Sequence, residues 1–217
     1  MKTDEQLQRE IHDELDWDPA VRVTDVGVSV KDGVVTLTGH VGTYAEKHAA
    51  ERAAQRVAGV RAVAVELDVL LDPRHHRGDS EIAAAVEHAL KWNSTLLADQ
   101  IQVLVSNGHV TLRGMVDWAY QRDDAARIVR SLAGVTGIDN LVELRPAAPP
   151  PGLVARIREA LQRQLDREAD RLQISLEGDT VTLRGSVHSW AEFRTIQGAA
   201  WSAPGVNSVV NELKVEA

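Results

Sequence analysis

His75 and His76 stand side by side between Arg74 and Arg77, and this is where residues able to ligate a metal or titrate near neutrality crowd together. Adjacent imidazoles on a loop can join a metal site or respond to mild acidity. A metal site would also need a carboxylate or a further histidine at ligand spacing, and none follows, so the segment reads as a solvated linker. Asp13, Glu14, Asp16 and Asp18 form an acidic counterpart. They could attract a cation, although a solvated helix end explains them more cheaply. The chain has no cysteine, which excludes disulfides, thiolate metal sites and a cysteine nucleophile. It contains no phosphate-cradling glycine loop, no dinucleotide fingerprint, no HExxH and no GxSxG. The expected chemistry is therefore binding rather than catalysis, with no enzyme activity, no cofactor and no metal.

Binding chemistry rests on the few aromatic side chains. Phe193 and Trp201 lie eight residues apart in a segment where parallel stretches of the chain carry Lys47 and Gln55, or Arg122 and Arg130. Those parallels predict normally solvated positions. On a helix, residues eight apart lie about 80° apart, so the two rings could share one side. They would then pack against another part of the chain, or form an exposed patch for a partner protein, a second copy or a membrane. Tyr44, Trp118 and Trp190 fall where a strand enters a helix, the place for a hydrophobic staple or for an aromatic loop tip dipping into a lipid interface. Trp17 and Trp92 follow other helices at matching positions, where the third stretch has Arg163, and are expected to pack over the core edge. The candidate partner surface is Phe193, Trp201, Trp118 and Trp190.

The elements that must position these residues come in triplicate. Gly39, Gly114 and Gly185 each end a β-like run (VVTLTG, HVTLRG, TVTLRG), and each is followed 20 residues later by Gly59, Gly134 or Gly205. Before each lies an apolar i, i+4, i+8 stripe: Leu7, Ile11, Leu15; Ile82, Val86, Leu90; Leu153, Ile157, Leu161. That spacing predicts an amphipathic helix, with Thr3 and Gln6 resembling a capping box and Asp79 or Ser80 able to cap the second copy. Period-2 runs follow at Val26–Val30, Ile101–Val105 and Leu172–Leu176. The turns Asp32-Gly33, Asn107-Gly108 and Gly178-Asp179 then fold a second strand back on each. The glycine late in that strand predicts a bulge, a bend or close packing. A second helix buries mostly small residues (Ala50, Ala53, Ala54; Ala125, Ile128, Val129; Ile196, Ala199, Ala200), with the later glycine as its expected C-cap. A last strand completes an α-β-β-α-β unit.

The fold class is thus α+β, three tandem units over 1–72, 79–146 and 152–217, each a three-stranded sheet with two helices packed on it. Units this small bury only about 60% of their unfolded surface, so contacts between copies should matter for stability. The joints differ: Asp72 to Gly78 is short and polar, whereas Pro146 to Gly152 should be a stiff polyproline spacer that holds the third unit at a distance.

The net charge of −8 is unevenly spread, at −6 over residues 1–72, −3 over 79–146 and −1 over 147–217. A polyanion would meet repulsion and little counterion release, so nucleic acid is not an expected partner. No apolar run reaches the length of a membrane span. Asp4 and Glu5 stand where a signal peptide would need apolar residues, and a cytoplasmic location is expected.

Ile101 to Val116 and Gly134-Val135 to Asn140 resemble, nearly position for position, the I-x-V-x-V-x-x-G-x-V-x-L-x-G-x-V hairpin and G-V-x-x-V-x-N of the BON domain family. The third copy repeats the pattern from Ile174 to Asn211. The first departs at Val65, where the others carry Asn140 and Asn211. The resemblance implies non-catalytic modules associated with bacterial envelope and osmotic-stress proteins, often described as phospholipid binders. The best-known tandem members are periplasmic and carry signal peptides. A cytoplasmic relative joins one such domain to a LysM module and is linked to potassium binding; no LysM-like segment occurs here. The expected function is a stress-associated binding protein that engages proteins or phospholipid headgroups, with self-association possible. An ion or osmolyte sensor and a holdase-like chaperone are the alternatives.

Overall fold

The computed structural model describes residues 2–96, 98–165 and 172–215. Each copy folds in the order helix, strand, strand, helix, strand. The first has α1 (Asp4–Trp17), β1 (Val26–Lys31), β2 (Val34–Val41), α2 (Tyr44–Arg56) and β3 (Ala62–Val69). The second has α3 (Asp79–Trp92), β4 (Ile101–Ser106), β5 (His109–Val116), α4 (Ala119–Arg130) and β6 (Gly137–Leu144). The third has α5 (Leu153–Leu165), β7 (Gln173–Glu177), β8 (Thr180–Val187), α6 (Trp190–Trp201) and β9 (Ser208–Val215).

The middle strand of each sheet pairs antiparallel with the strand before it and parallel with the strand after it, across the second helix. Register is shared: Leu37 faces Val65, Leu112 faces Asn140 and Leu183 faces Asn211. Each sheet and its two helices enclose a separate core. The predicted stripes fill it, with Ile11, Leu15, Val86 and Leu161 fully buried beside Val35, Leu37, Leu112 and Val181.

The helix-one cap in the first copy is the Thr3–Gln6 box. In the second copy the cap is Gly78, whose N–H donates to Glu81, and Asp79 has another task. Its carboxylate accepts from the N–H groups of Asn107 and Gly108, as Asp4 accepts from Asp32 and Gly33. The first helical residue thus clamps the tip of the hairpin to helix one.

Of the readings open for the first framework glycine, close packing holds, whereas the second is not the helix cap expected. No bulge interrupts the ladder, because Gly39 and Gly114 pair in register with Val26 and Ile101. Instead, the chain entering the first strand crosses them so closely that an added Cβ would collide with the carbonyl of Asp25 or Gln100. The later glycines are not helix C-caps: α2 and α4 end at Arg56 and Arg130, three and four residues earlier. At Gly59 a Cβ would meet the Leu7 side chain of α1, at Gly134 Arg77 and the Ile82 side chain of α3, and at Gly205 the Pro149 backbone, so helix one or the residues leading into it lie over each. In the third copy the covering segment is the proline stretch. It does not hold the third unit away: its Pro149 backbone lies on Gly205, and the third unit touches both others.

Candidate binding surface at the junction of the three units

The second helices, α2, α4 and α6, carry the contacts between units, and those contacts run in a cycle. Tyr44, first residue of α2, packs against the core of the second unit. Trp190, first residue of α6, packs against the core of the first, and its indole N–H donates to the Val60 carbonyl at 2.9 Å. From α4 of the second unit, the Arg122 guanidinium lies 4.3 Å above the ring of Trp201 in the third, and Trp201 packs on the second core. First touches second, second touches third and third touches first, the arrangement of a pseudo-threefold ring.

Polar groups follow the same cycle. Arg194 of α6 donates to Gln55 of α2 at 2.9 Å, Gln55 donates to Glu51 at 3.1 Å, and His48 lies 3.6 Å from Glu51. The His48 contact holds the Glu51 carboxyl below its ordinary range against the opposing effect of burial. Burial pushes the Arg194 and Arg130 guanidiniums below theirs, with Arg52 adding like-charge repulsion to both. Arg130 Nε is buried without a hydrogen-bond partner. The position sixteen after each framework glycine, expected to be solvated, is therefore a junction position, held by Gln55, Arg130 and Trp201, and the position eight joins a junction at Arg122.

Phe193 and Trp201 do not form a shared patch. Phe193 packs on its own unit's core and tilts against Trp190, with ring centroids 5.0 Å apart, while Trp201 goes to the second unit. Tyr44 and Trp190 are not staples of their own helices but anchors on a neighbour. Trp118 differs from both. It is the N-cap residue of α4, 42% exposed, and lines a cleft of about 520 Å³ between the second and third units. Ala119, Tyr120 and Asp123 continue that wall, and Arg194, Gln197, Gly198, Trp201 and Ser202 form the opposite one.

Trp17 and Trp92 do not pack over the core edge: they stand 84% and 79% exposed, and Trp92 donates to His88 at 2.8 Å. The acidic cluster at the C-terminal end of helix one has an internal cation, since Arg56 binds Glu14 at 2.6 Å and Asp18 at 2.9 Å. The Arg56 hydrogen bond depresses the Asp18 carboxyl. His75 and His76 are exposed, and the described residues hold no group of three or more His, Cys, Asp or Glu side chains able to bind a metal.

Gly198 sits inside α6, exposed, where an added Cβ would meet nothing within 4 Å. Glycine in a helix interior costs about 0.5–1 kcal/mol relative to alanine. Gly198→Ala should therefore raise the stability of the third unit by about that amount, read as a higher urea midpoint; an unchanged or lower midpoint would contradict this.

Tyr44, Arg122, Arg130 and Arg194 are junction residues that the chain pattern did not mark as such. The available signal was divergence at aligned positions: Tyr44, Ala119 and Trp190 align, as do Gln55, Arg130 and Trp201. The asparagine difference has a local explanation in the second copy, while in the third Asn211 Nδ2 is buried without a hydrogen-bond partner among the described residues. Asn140 Nδ2 donates to the Arg122 carbonyl at 2.8 Å and ties β6 to α4, whereas in the first copy Lys47 Nζ reaches the Leu67 carbonyl at 2.7 Å and Val65 joins the core.

Comparison with known proteins agrees with this repeat. The chain is 29% identical over 125 residues to "Osmotically-inducible protein Y" of Escherichia coli (strain K12), an alignment covering 55% of this chain and 62% of that relative. Among solved structures, it is similar to CdsD, a structural protein of the type III secretion system of Chlamydia trachomatis, at 15% identity over 96% of this chain and 91% of that one, TM-score 0.25. The C-terminal domain of CdsD matches at 16% identity over 100% of both chains, TM-score 0.26. Overlays that loose carry no weight for architecture. No helix among the described residues is long and apolar enough to cross a membrane. The BON domain model matches residues 3–70, 78–146 and 152–217, and on those three matches the chain belongs to the BON domain family.

Proposed function

We propose that this protein is a non-catalytic, stress-associated binding protein whose three units work as one ring and engage a protein partner. The stress association follows from the likeness to an osmotically inducible protein, of which this chain spans 62% of the length. The observation that carries the binding reading is the unequal use of aromatic side chains. Tyr44 and Trp190 are spent on contacts inside the ring, while Trp118 and Tyr120, 42% and 53% exposed, border an open cleft. Exposed aromatics around a concave site are the usual composition of a protein-binding surface.

A protein partner is favoured over a phospholipid surface by charge. The chain carries a net −8, and exposed Trp17 is flanked by Asp16 and Asp18, so an anionic leaflet would repel it. The test is deletion of the gene in its native host, followed by growth after a hyperosmotic shift. Slowed growth, restored by the wild-type chain and not by one carrying Trp118→Ala with Tyr120→Ala, supports the reading. Growth equal to the parent would overturn the stress role. Flotation of the purified protein with anionic vesicles at low salt would overturn the protein-partner reading in favour of lipid.

A further inference from the structure

The cyclic junction contains its own control for what the open cleft accepts. At two joints of the ring, an aromatic residue in the first position of a second helix is seated on the next unit: Tyr44 on the second, Trp190 on the first. Both follow a hydroxyl N-cap, Thr43 or Ser189, and both are followed by alanine and then by glutamate, Glu46 or Glu192. The third joint should be closed by the aligned residue of the second unit, which is Ala119. A methyl group, 3% exposed and part of the second unit's own core, stands where the other two joints place a phenol or an indole, so no ring from this position reaches the third unit. The cleft of about 520 Å³ lies beside that alanine.

We propose that the joint between the second and third units is a receptor for one tryptophan or tyrosine side chain, carried at the capped first turn of a helix in a partner polypeptide. The proposal rests on the binding reading above and names the chemistry of its partner. The walls suit a ring. Trp118 and Tyr120 offer aromatic edges on one side, and Trp201 floors the other, already covered on one face by the Arg122 guanidinium. Arg194, held in place by Gln55, borders the same space and can lie over a second ring. Gly198 recesses the α6 wall where the aligned residues of the other units are Arg52 and Arg127. Burying an aromatic side chain removes about 150–250 Å² from water, which makes a single ring a sufficient anchor for a contact of this size.

The joint can be tested with the ligand that the chain already uses internally. A fluorescein-labelled peptide of residues 187–200 carries Ser189-Trp190-Ala191-Glu192 and can be titrated into the full chain by fluorescence anisotropy. Saturable binding is expected, with affinity at least tenfold weaker when the tryptophan of the peptide is replaced by alanine. Two variants of the protein locate the site. Tyr120→Ala removes an aromatic edge of the cleft that is 53% exposed and should weaken binding at least fivefold while leaving the melting temperature unchanged. Gly198→Arg fills the recess from an exposed helix position and should weaken binding at least tenfold without unfolding the chain. No binding to the wild type, or binding unchanged by Gly198→Arg, would overturn the proposal. Either result leaves the growth experiment intact as an independent test of the broader reading.

Discussion

Trp190→Ala is expected to detach the third unit from the first and to break a single unfolding transition into two. The wild-type indole contributes three contacts that alanine cannot replace: its apolar body on the first unit's core, the N–H bond to the Val60 carbonyl, and the tilted ring contact with Phe193. Truncation of a buried tryptophan costs about 3–5 kcal/mol. Trp190 is half-buried, so about 2–3 kcal/mol is the expected loss. That is large for units of this size, each of which buries only about 60% of its unfolded surface. The neighbouring Arg194–Gln55 bond sits on the same helix and should loosen with it. Small-angle scattering should show a larger radius of gyration, and calorimetry should show two components. Trp17→Ala is the control, since that ring is 84% exposed and a surface change of this kind stays within about 0.5 kcal/mol. A single transition with unchanged scattering in Trp190→Ala would mean that the units are joined elsewhere.

The repeat was legible because its causes are local. Apolar stripes at i, i+4 and i+8, alternation in the strands and Asp-Gly or Asn-Gly turns each constrain a few neighbouring residues, and all three hairpins form where they predict. The junction was not legible, because it is made by residues far apart in the chain, such as Trp190 and Val60, 130 positions from each other. Comparison of aligned copies did point to Phe193 and Trp201 as unusual, but it could not say that one would turn inward and the other toward the second unit. Composition misled at Pro146 to Gly152. Prolines there stiffen the backbone but do not set its direction, and the segment runs back across Gly205, the side that helix one or its approach covers at the second glycine of the other copies. The helix-cap reading of Gly59, Gly134 and Gly205 failed for the same reason. A cap and a crossing both select glycine, and only the tertiary path tells them apart.

Gly114→Ala separates those two demands at the first framework glycine and should be the most damaging single methyl group in the second unit. Gly114 has φ +146°, where a Cβ is strained, and the added carbon would fall inside the van der Waals envelope of the Gln100 carbonyl oxygen. Its other neighbours, the Gln100 carbonyl carbon at 3.0 Å and the Ile101 Cα at 3.2 Å, are also backbone. No side-chain rotation can relieve the clash; β4 must move off β5 at the Ile101–Gly114 pair. Leu112 and Val116 flank the site on the same strand and are both buried, so a shift there opens the core. Backbone strain of about 1–3 kcal/mol and overpacking of about 1–3 kcal/mol together predict a loss of about 2–6 kcal/mol, a large share of the stability of so small a unit. Gly178→Ala sets a floor for the strain, because Gly178 lies at the milder left-handed φ of +62° with nothing within 4 Å of the new methyl. It should cost only about 1–2 kcal/mol. Chemical denaturation of both variants decides the matter. Equal losses would show that Gly114 serves its backbone angle alone, whereas a gap of 2 kcal/mol or more, of the order set by overpacking, would show that the crossing chain selects it.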